Sequence, residues 1–244
     1  MKNEKNIPNI QFDIITLFPQ IFDSVFSQSI ISKAQEKGLV KINMINLRDF
    51  GEGRHKIVDE KPYGGGSGMV LRADILQKAL KSVKIISKKS KVALLSPQGK
   101  TFNQKTAKKL KNLDQLILIC GHYEGVDERI KNFIDQEISI GDYILTGGEI
   151  PAMVIIDTVS RLIGGVVGKK NSITDETFER NLLKYPQYAK PLKFERLGIP
   201  KVLLSGNHQE IEKWRNIQSL KKTKKLRPDL SFKSLKIDKR INST

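Results

Sequence analysis

Tyr123, Glu124, Asp142, Tyr143 and Glu149 stand among glycines in one stretch of the chain, residues 117–151. A turn that only reverses direction uses Gly, Asn, Asp or Pro, and has no need of aromatic and carboxylate side chains between them. Gly121, Gly125, Gly141, Gly147 and Gly148 carry no Cβ, so main chain there can approach a ligand closely. Two such loops, each beside an apolar strand-like run, point to a small-molecule pocket framed by backbone.

The elements that must hold these loops follow from periodicity. Residues 11–18 read as a strand, and Pro19 can open a helix in which Phe22, Val25, Phe26 and Ile30 share a face. Gly38 sits where a helix-ending glycine belongs, and 39–47 alternates as a strand does. A helix over 72–86 and a short strand over 91–96 come next, and Thr101 with Gln104 forms a capping-box pattern. The continuous apolar run 116–120 reads as a strand buried on both faces. A short helix over 126–134, a strand over 137–145 and a proline-started helix over 151–163 complete a βαβα order, which argues for an α/β layer with a mostly parallel sheet. After Gly164 the composition turns to glycine, lysine and small polar residues, as linkers do, and the clear element beyond is a helix from about 207 to 220 or further.

Charge divides the chain in the same place. The formal net charge is +17 over 244 residues, and residues 171–244 alone contribute +9. Seven basic residues and no acidic one lie between 213 and 227, with Trp214 among them. Such a face can neutralise phosphates, which favours a nucleic-acid partner over a merely lysine-rich surface. Trp214 could stack on a base or pack in a core. The single Cys120, at the end of an apolar run, reads as a small buried residue in a reducing compartment. No run approaches membrane-span length and the first ten residues lack a signal-peptide core, so the expectation is a cytoplasmic protein with no membrane partner.

Other motifs fall away. YGGGSGM at 63–69 does not follow a strand and open a helix, as a dinucleotide fingerprint must. GGVVGKK at 164–170 fails phosphate-loop spacing, with Ile163 and Lys170 where Gly and Ser/Thr belong. His55, His122 and His208 are too scattered to propose a zinc site, and no metal site is assigned to protein ligands.

Three loops remain, each after a strand: SPQGK at 96–100, CGHYEG at 120–125 and SIGDYILTGGEIP at 139–151. Together with RHKIVDEKPYGGGSGMVL at 54–71, VSRLIGGVVG at 159–168 and LLSGNHQEIEKWR at 203–215, they resemble the bacterial tRNA (guanine-N1)-methyltransferase family, with the blocks in the family's order. The resemblance implies a SPOUT-type α/β fold, a parallel sheet with a deep trefoil knot, plus a small, mainly α-helical C-terminal domain. In this chain that places a knotted cofactor-binding and catalytic domain at 1–163, a flexible linker at 164–176 and a basic tRNA-binding domain at 177–244. It also implies a homodimer with active sites at the interface, and S-adenosylmethionine as methyl donor, with Mg2+ for activity.

By position, the resemblance assigns cofactor contacts to Leu95, Ser96, Pro97 and Gly99, to Gly121, Tyr123, Glu124 and Gly125, and to Ile140, Gly141, Asp142, Tyr143, Ile144, Leu145, Gly147, Gly148 and Pro151. Gly68, His208, Trp214 and Arg215 fall to the tRNA side. The reaction itself defines two catalytic roles. Guanine N1 carries a proton at neutral pH, so a base must remove it while a positive group stabilises charge developing on O6. The resemblance gives the positive role to Arg161. The family's base is usually an aspartate in a segment ending Asp-Ser-Phe, whereas this chain reads Asp175-Glu176-Thr177-Phe178. Glu176 takes that position, Asp175 is the fallback, and Glu124 can orient the guanine or help to hold magnesium. His122 lies where some members have arginine, and Lys190 where arginine is common. The implied activity is methylation of guanine N1 at position 37, 3′-adjacent to the tRNA anticodon. Its rivals are a catalytically silent RNA-binding protein, a related knotted enzyme acting on ribose or rRNA, and a mononucleotide-binding metabolic enzyme.

Overall fold

The computed structural model describes residues 9–167, 177–178 and 181–230. The chain divides into two compact units, Met1–Gly168 and Lys169–Thr244. In the first, β1 (Ile10–Thr16) is buried at every residue. A 3-10 turn at Pro19–Phe22, α1 (Asp23–Phe26) and α2 (Ser29–Glu36) lead to β2 (Val40–Asn46). The short β3 (Asp59–Glu60) and β4 (Val70–Leu71) pair antiparallel, and α3 (Ala73–Ser82) follows. Then come β5 (Ser90–Thr101), α4 (Gln104–Leu110), β6 (Gln115–Cys120), a 3-10 segment Glu128–Phe133, β7 (Gln136–Ser139) and α5 (Glu149–Ser160).

Five strands form one sheet in the order β2-β1-β6-β5-β7, parallel throughout. β6 lies at its centre and all six of its residues are buried, as expected for a strand covered on both faces. Successive side chains on a strand point to opposite faces. Ile117 and Ile119 join Ile15 and Leu94 in a core with Ile75, Leu76 and Ala79 of α3. α5 packs against β1 and β6, with α2 and α4 beside it.

A polar network is buried in this sheet. Asp13, 3 % exposed, accepts from Gln11 of its own strand, from Asn43 of β2 at 2.6 Å and from Gln115 of β6 at 2.6 Å. Gln115 also accepts from Ile86 N and Ser90 Oγ, so one amide ties three strands to the loop before β5.

Several local expectations are corrected. The periodic set Phe22, Val25, Phe26 and Ile30 does not share one helix, because the chain breaks between α1 and α2, where Ser29 takes φ 57°. Phe22 and Phe26 are buried, and Val25 and Ile30 are exposed. The cap of α4 is Asn103, whose side chain accepts from Thr106 N, rather than Thr101, which ends β5. β5 runs past Pro97 and Gly99 because it bulges between Leu95 and Lys100 before rejoining β7. The strand expected over 137–145 ends at Ser139.

In the second unit a two-stranded ladder, β8 (Lys193–Phe194) with β9 (Leu197–Gly198), stands where no strand was expected. α6 (His208–Leu226) runs for 19 residues, capped by Asn207, whose side chain accepts from Gln209 N and Glu210 N. Thr223 of α6 is fully buried and its hydroxyl accepts from Leu183 N at 2.8 Å. Among the described residues no helix is long and apolar enough to cross a membrane.

Candidate active site

A cavity of about 290 Å³ opens at the carboxyl ends of β5, β6 and β7. That is where open parallel sheets receive ligands, because the connecting loops diverge there. Its walls are the β5 bulge, the loop after β6 and the loop between β7 and α5. Leu95, Ser96, Pro97, Gly121, Tyr123, Glu124, Gly125, Ile140, Gly141, Tyr143, Ile144, Leu145, Gly147, Gly148 and Pro151 all line it. Gly99 and Asp142 are not on its wall. At Gly99 a Cβ would stand 2.5 Å from Ile138 N, so glycine there serves the crossing of β5 against β7. The sequence reading left out Gln98, Glu128, Lys131 and Thr146, which also face the cavity. Lys131 braces it from one side, pairing with Glu128 at 3.0 Å and Glu137 at 3.1 Å and donating to Gln98 at 3.2 Å.

Each loop is held by its own bonds. Ser139 Oγ donates to Gly141 O and accepts from Gly141 N, and Tyr143 donates to Ile140 O at 3.2 Å, which closes residues 139–143 into a tight turn. Tyr123 takes φ 57°, in the left-handed region that non-glycine residues uncommonly adopt. Glu124 N donates to Met69 O at 3.1 Å and Leu71 N to Gly125 O at 3.0 Å, so the 62–71 segment is fastened to the loop after β6. Gly68 is thereby set against the Glu124 side chain. The same loop continues into Asp127, whose carboxyl the Arg129 guanidinium holds below the usual carboxylate range.

The third wall closes onto the second at Gly147 and Gly148. Gly148 N donates to Gly121 O at 2.8 Å, and His122 bridges Gly147 antiparallel. A Cβ at Gly148 would stand 2.7 Å from Cys120 Cα, and one at Gly147 would collide with Glu149 Oε2 and His122 Nδ1. Behind this contact Glu149 is 5 % exposed and accepts from Thr16 Oγ1 at 2.7 Å. Burial, and then the charge of Glu149, push the Cys120 thiol well above its ordinary value, so it stays protonated and is no nucleophile.

Arg161 follows the last turn of α5, half-buried, its backbone N–H donating to Asp157 O at 3.1 Å. It does not line the cavity. Asp175 and Glu176 lie outside the described residues. In the second unit His208 begins α6, the Trp214 ring lies 6.4 Å from Tyr188, and the Arg215 guanidinium covers Tyr185 at 4.9 Å. Trp214 is thus half-buried against an aromatic neighbour rather than enclosed in a core.

The family model of the tRNA (guanine-1)-methyltransferase TrmD matches residues 10–233. The chain belongs to this family. A tRNA (guanine-N(1)-)-methyltransferase of Dictyoglomus turgidum is 54 % identical over 225 residues, covering 92 % of this chain and 91 % of the relative. Those of Geotalea uraniireducens and Syntrophomonas wolfei are each 50 % identical, over 222 and 224 residues, covering 91 % and 92 % of this chain and 90 % and 91 % of the relatives. A methyltransferase of the TrmD family implies S-adenosylmethionine as methyl donor. The cavity suits such a molecule, with apolar Leu95, Pro97, Ile138 and Leu145 beside main chain that glycine leaves open to hydrogen bonding. Among the described residues no group of three or more His, Cys, Asp or Glu is placed to hold a metal ion.

Proposed function

We propose that this protein transfers the methyl group of S-adenosylmethionine to N1 of guanine 37 of tRNA, the nucleotide 3′ of the anticodon. The observation that carries the reading is a cavity walled by three loops in a chain whose residues 10–233 match the TrmD model. Bound there, S-adenosylmethionine supplies an electrophilic methyl group on a sulfonium. The chain's own residues do the rest. Backbone of the β5 bulge, of Gly121–Gly125 and of the 140–148 loop holds the donor, and Glu124, beside Gly68, orients the guanine. Glu176, with Asp175 as fallback, takes the N1 proton, and Arg161 stabilises the negative charge that develops on O6. In-line transfer then needs only that the two reactants be held at near-attack distance. Magnesium belongs to the proposal as a requirement for activity, held through one or two carboxylates and water as this ion prefers.

The assembly is part of the same reading. A homodimer with its active sites at the interface is supported by apolar residues left in water beside the site: Ile21 and Ile150 are 47 % and 50 % exposed and line a second cavity next to the first. A trefoil-knotted path belongs to the same reading through the family match over residues 10–233. Residues 1–163 then form the catalytic domain, 164–176 the linker and 177–244 the tRNA-binding domain. The basic run of α6, with Lys221, Lys222, Lys224 and Lys225, supports the last of these, and His208, Trp214 and Arg215 are its proposed contacts.

The test is transfer of labelled methyl to tRNA transcripts that have G or A after the anticodon, followed by nucleoside analysis. Label recovered as 1-methylguanosine from the G transcript alone is the expected result. Binding of tRNA without transfer would overturn the assignment in favour of a silent RNA-binding protein.

A further inference from the structure

We propose that Glu149 is a positioning residue for His122, holding the imidazole with its proton on Nδ1 so that Nε2 faces a bound ligand as a hydrogen-bond acceptor. His122 lines both the main cavity and a second one of about 300 Å³, the two meeting at His122, Thr146 and Gly147. Its ring is pinned between Phe18, at 5.1 Å, and the edge of Tyr123, at 4.6 Å. Neither ring offers Nδ1 an acceptor, and Nδ1 is buried without a hydrogen bond. The polar atom it faces is Glu149 Oε2, 3.9 Å away.

That distance is too long for a bond, yet it decides the tautomer. A lone pair on Nδ1 would point at a buried carboxylate and be repelled, whereas an N–H would be attracted. A closure of about 1 Å, as loops settle on a ligand, completes the bond. Carboxylates that orient a histidine in this way are a recurrent device, because the ring nitrogen that faces the carboxylate keeps the proton and the other is left free to accept. Glu149 is itself fixed. Oε1 accepts from Thr16, whose oxygen in turn accepts from Phe18 N at 3.0 Å. The ligand group recognised by Nε2 is an N–H or O–H donor. For the methyl-transfer reading, on which this consequence rests, it is a hydroxyl or amino group of the methyl donor.

The sequence has three histidines, so the imidazole nitrogens of 15N-histidine-labelled intact protein can be resolved and assigned by NMR. With the ring neutral, His122 is expected as the Nδ1–H tautomer without any ligand. Glu149→Gln should reverse it. The amide oxygen keeps the Thr16 bond, because Thr16 already accepts from Phe18 N, and the NH2 is left to donate to Nδ1. The KM for S-adenosylmethionine should then rise about tenfold, the worth of one lost hydrogen bond, with kcat little changed. Glu149→Ala removes the carboxylate and should return His122 to the Nε2–H form that a free imidazole prefers, which keeps the proposal open to test if Glu149→Gln does not fold. An Nε2–H His122 in the unaltered protein, or a tautomer unmoved in Glu149→Gln, overturns the pairing. An inactive protein with His122 in the Nδ1–H form supports the pairing and counts against the methyl-transfer reading alone.

Discussion

Gly68 lies so close to Glu124 that a Cβ on it would stand 2.5 Å from Glu124 Cγ. Its φ of +77° is also one that alanine adopts only with strain. Gly68→Ala must therefore strain its own backbone and push Glu124 out of place. The expected outcome is a fall in kcat of at least about tenfold, since small displacements of an orienting group are costly. Thermal unfolding should shift down by about 2–8 °C, the equivalent of one to two kcal/mol. A Gly68→Ala protein with unchanged kcat would show that Glu124 does not orient the substrate.

Arg161 is proposed to act on the transition state and does not line the donor cavity. Arg161→Ala should lower kcat by about 10²–10³-fold, as removal of a charge-stabilising group does. Equilibrium binding of S-adenosylmethionine, followed by calorimetry, should stay within about twofold of the unaltered protein. Equal losses in donor affinity and kcat would instead make Arg161 a residue of the fold.

The proton acceptor is decided by two substitutions made separately. Glu176→Gln is expected to reduce turnover by at least about 10²-fold, the usual worth of a positioned general base, while Asp175→Asn retains most of it. Single-turnover methyl transfer at saturating donor and tRNA reads the step directly. Full activity of Glu176→Gln would transfer the role to Asp175.

What could be read from the sequence was what local pattern controls. The run that became β6 was legible because a strand covered on both faces needs continuous apolar residues, and the loop after it because its glycines flank Tyr123 and Glu124. Residues 140–145 read as strand because apolar and polar residues mix there, but Ser139 and Tyr143 turn the chain, and Ile144 is left 80 % exposed on the cavity wall. Lys131 was not legible, since a lysine on a short polar segment looks like any solvated face until β7 brings Glu137 to it. Glu149 stood in view among the glycines, yet its partner Thr16 is 133 residues away, and no local pattern announces such a pair.

The basic run of α6 leads to a prediction about salt. Each lysine that neutralises a phosphate releases a counterion, so binding weakens with salt in proportion to the number of contacts. Neutralising Lys221, Lys222, Lys224 and Lys225 together should weaken tRNA binding for every transcript and flatten its dependence on log salt by up to about four units. Binding of S-adenosylmethionine should not change. A salt slope equal to that of the unaltered protein would place the phosphate contacts elsewhere.

Stability offers the last test, at the opposite end of the strands from the cavity. Asp13 is buried, and among the described residues its carboxyl is held by side-chain amides of Gln11, Asn43 and Gln115. Gln115→Leu removes a donor at 2.6 Å, takes the side-chain acceptor from Ile86 N and from the Ser90 hydroxyl, and takes a donor from Lys84 O. A buried carboxylate left short of partners is expensive, so the substitution should cost about 3 kcal/mol or more of unfolding free energy. Asp13→Asn with Gln115→Leu should cost less than the two single changes added together, because the neutral amide no longer needs the missing donor. Urea unfolding of the four proteins gives the coupling directly. Additive losses would mean that Asp13 and Gln115 contribute independently, and that the network is not what ties β1 to β6.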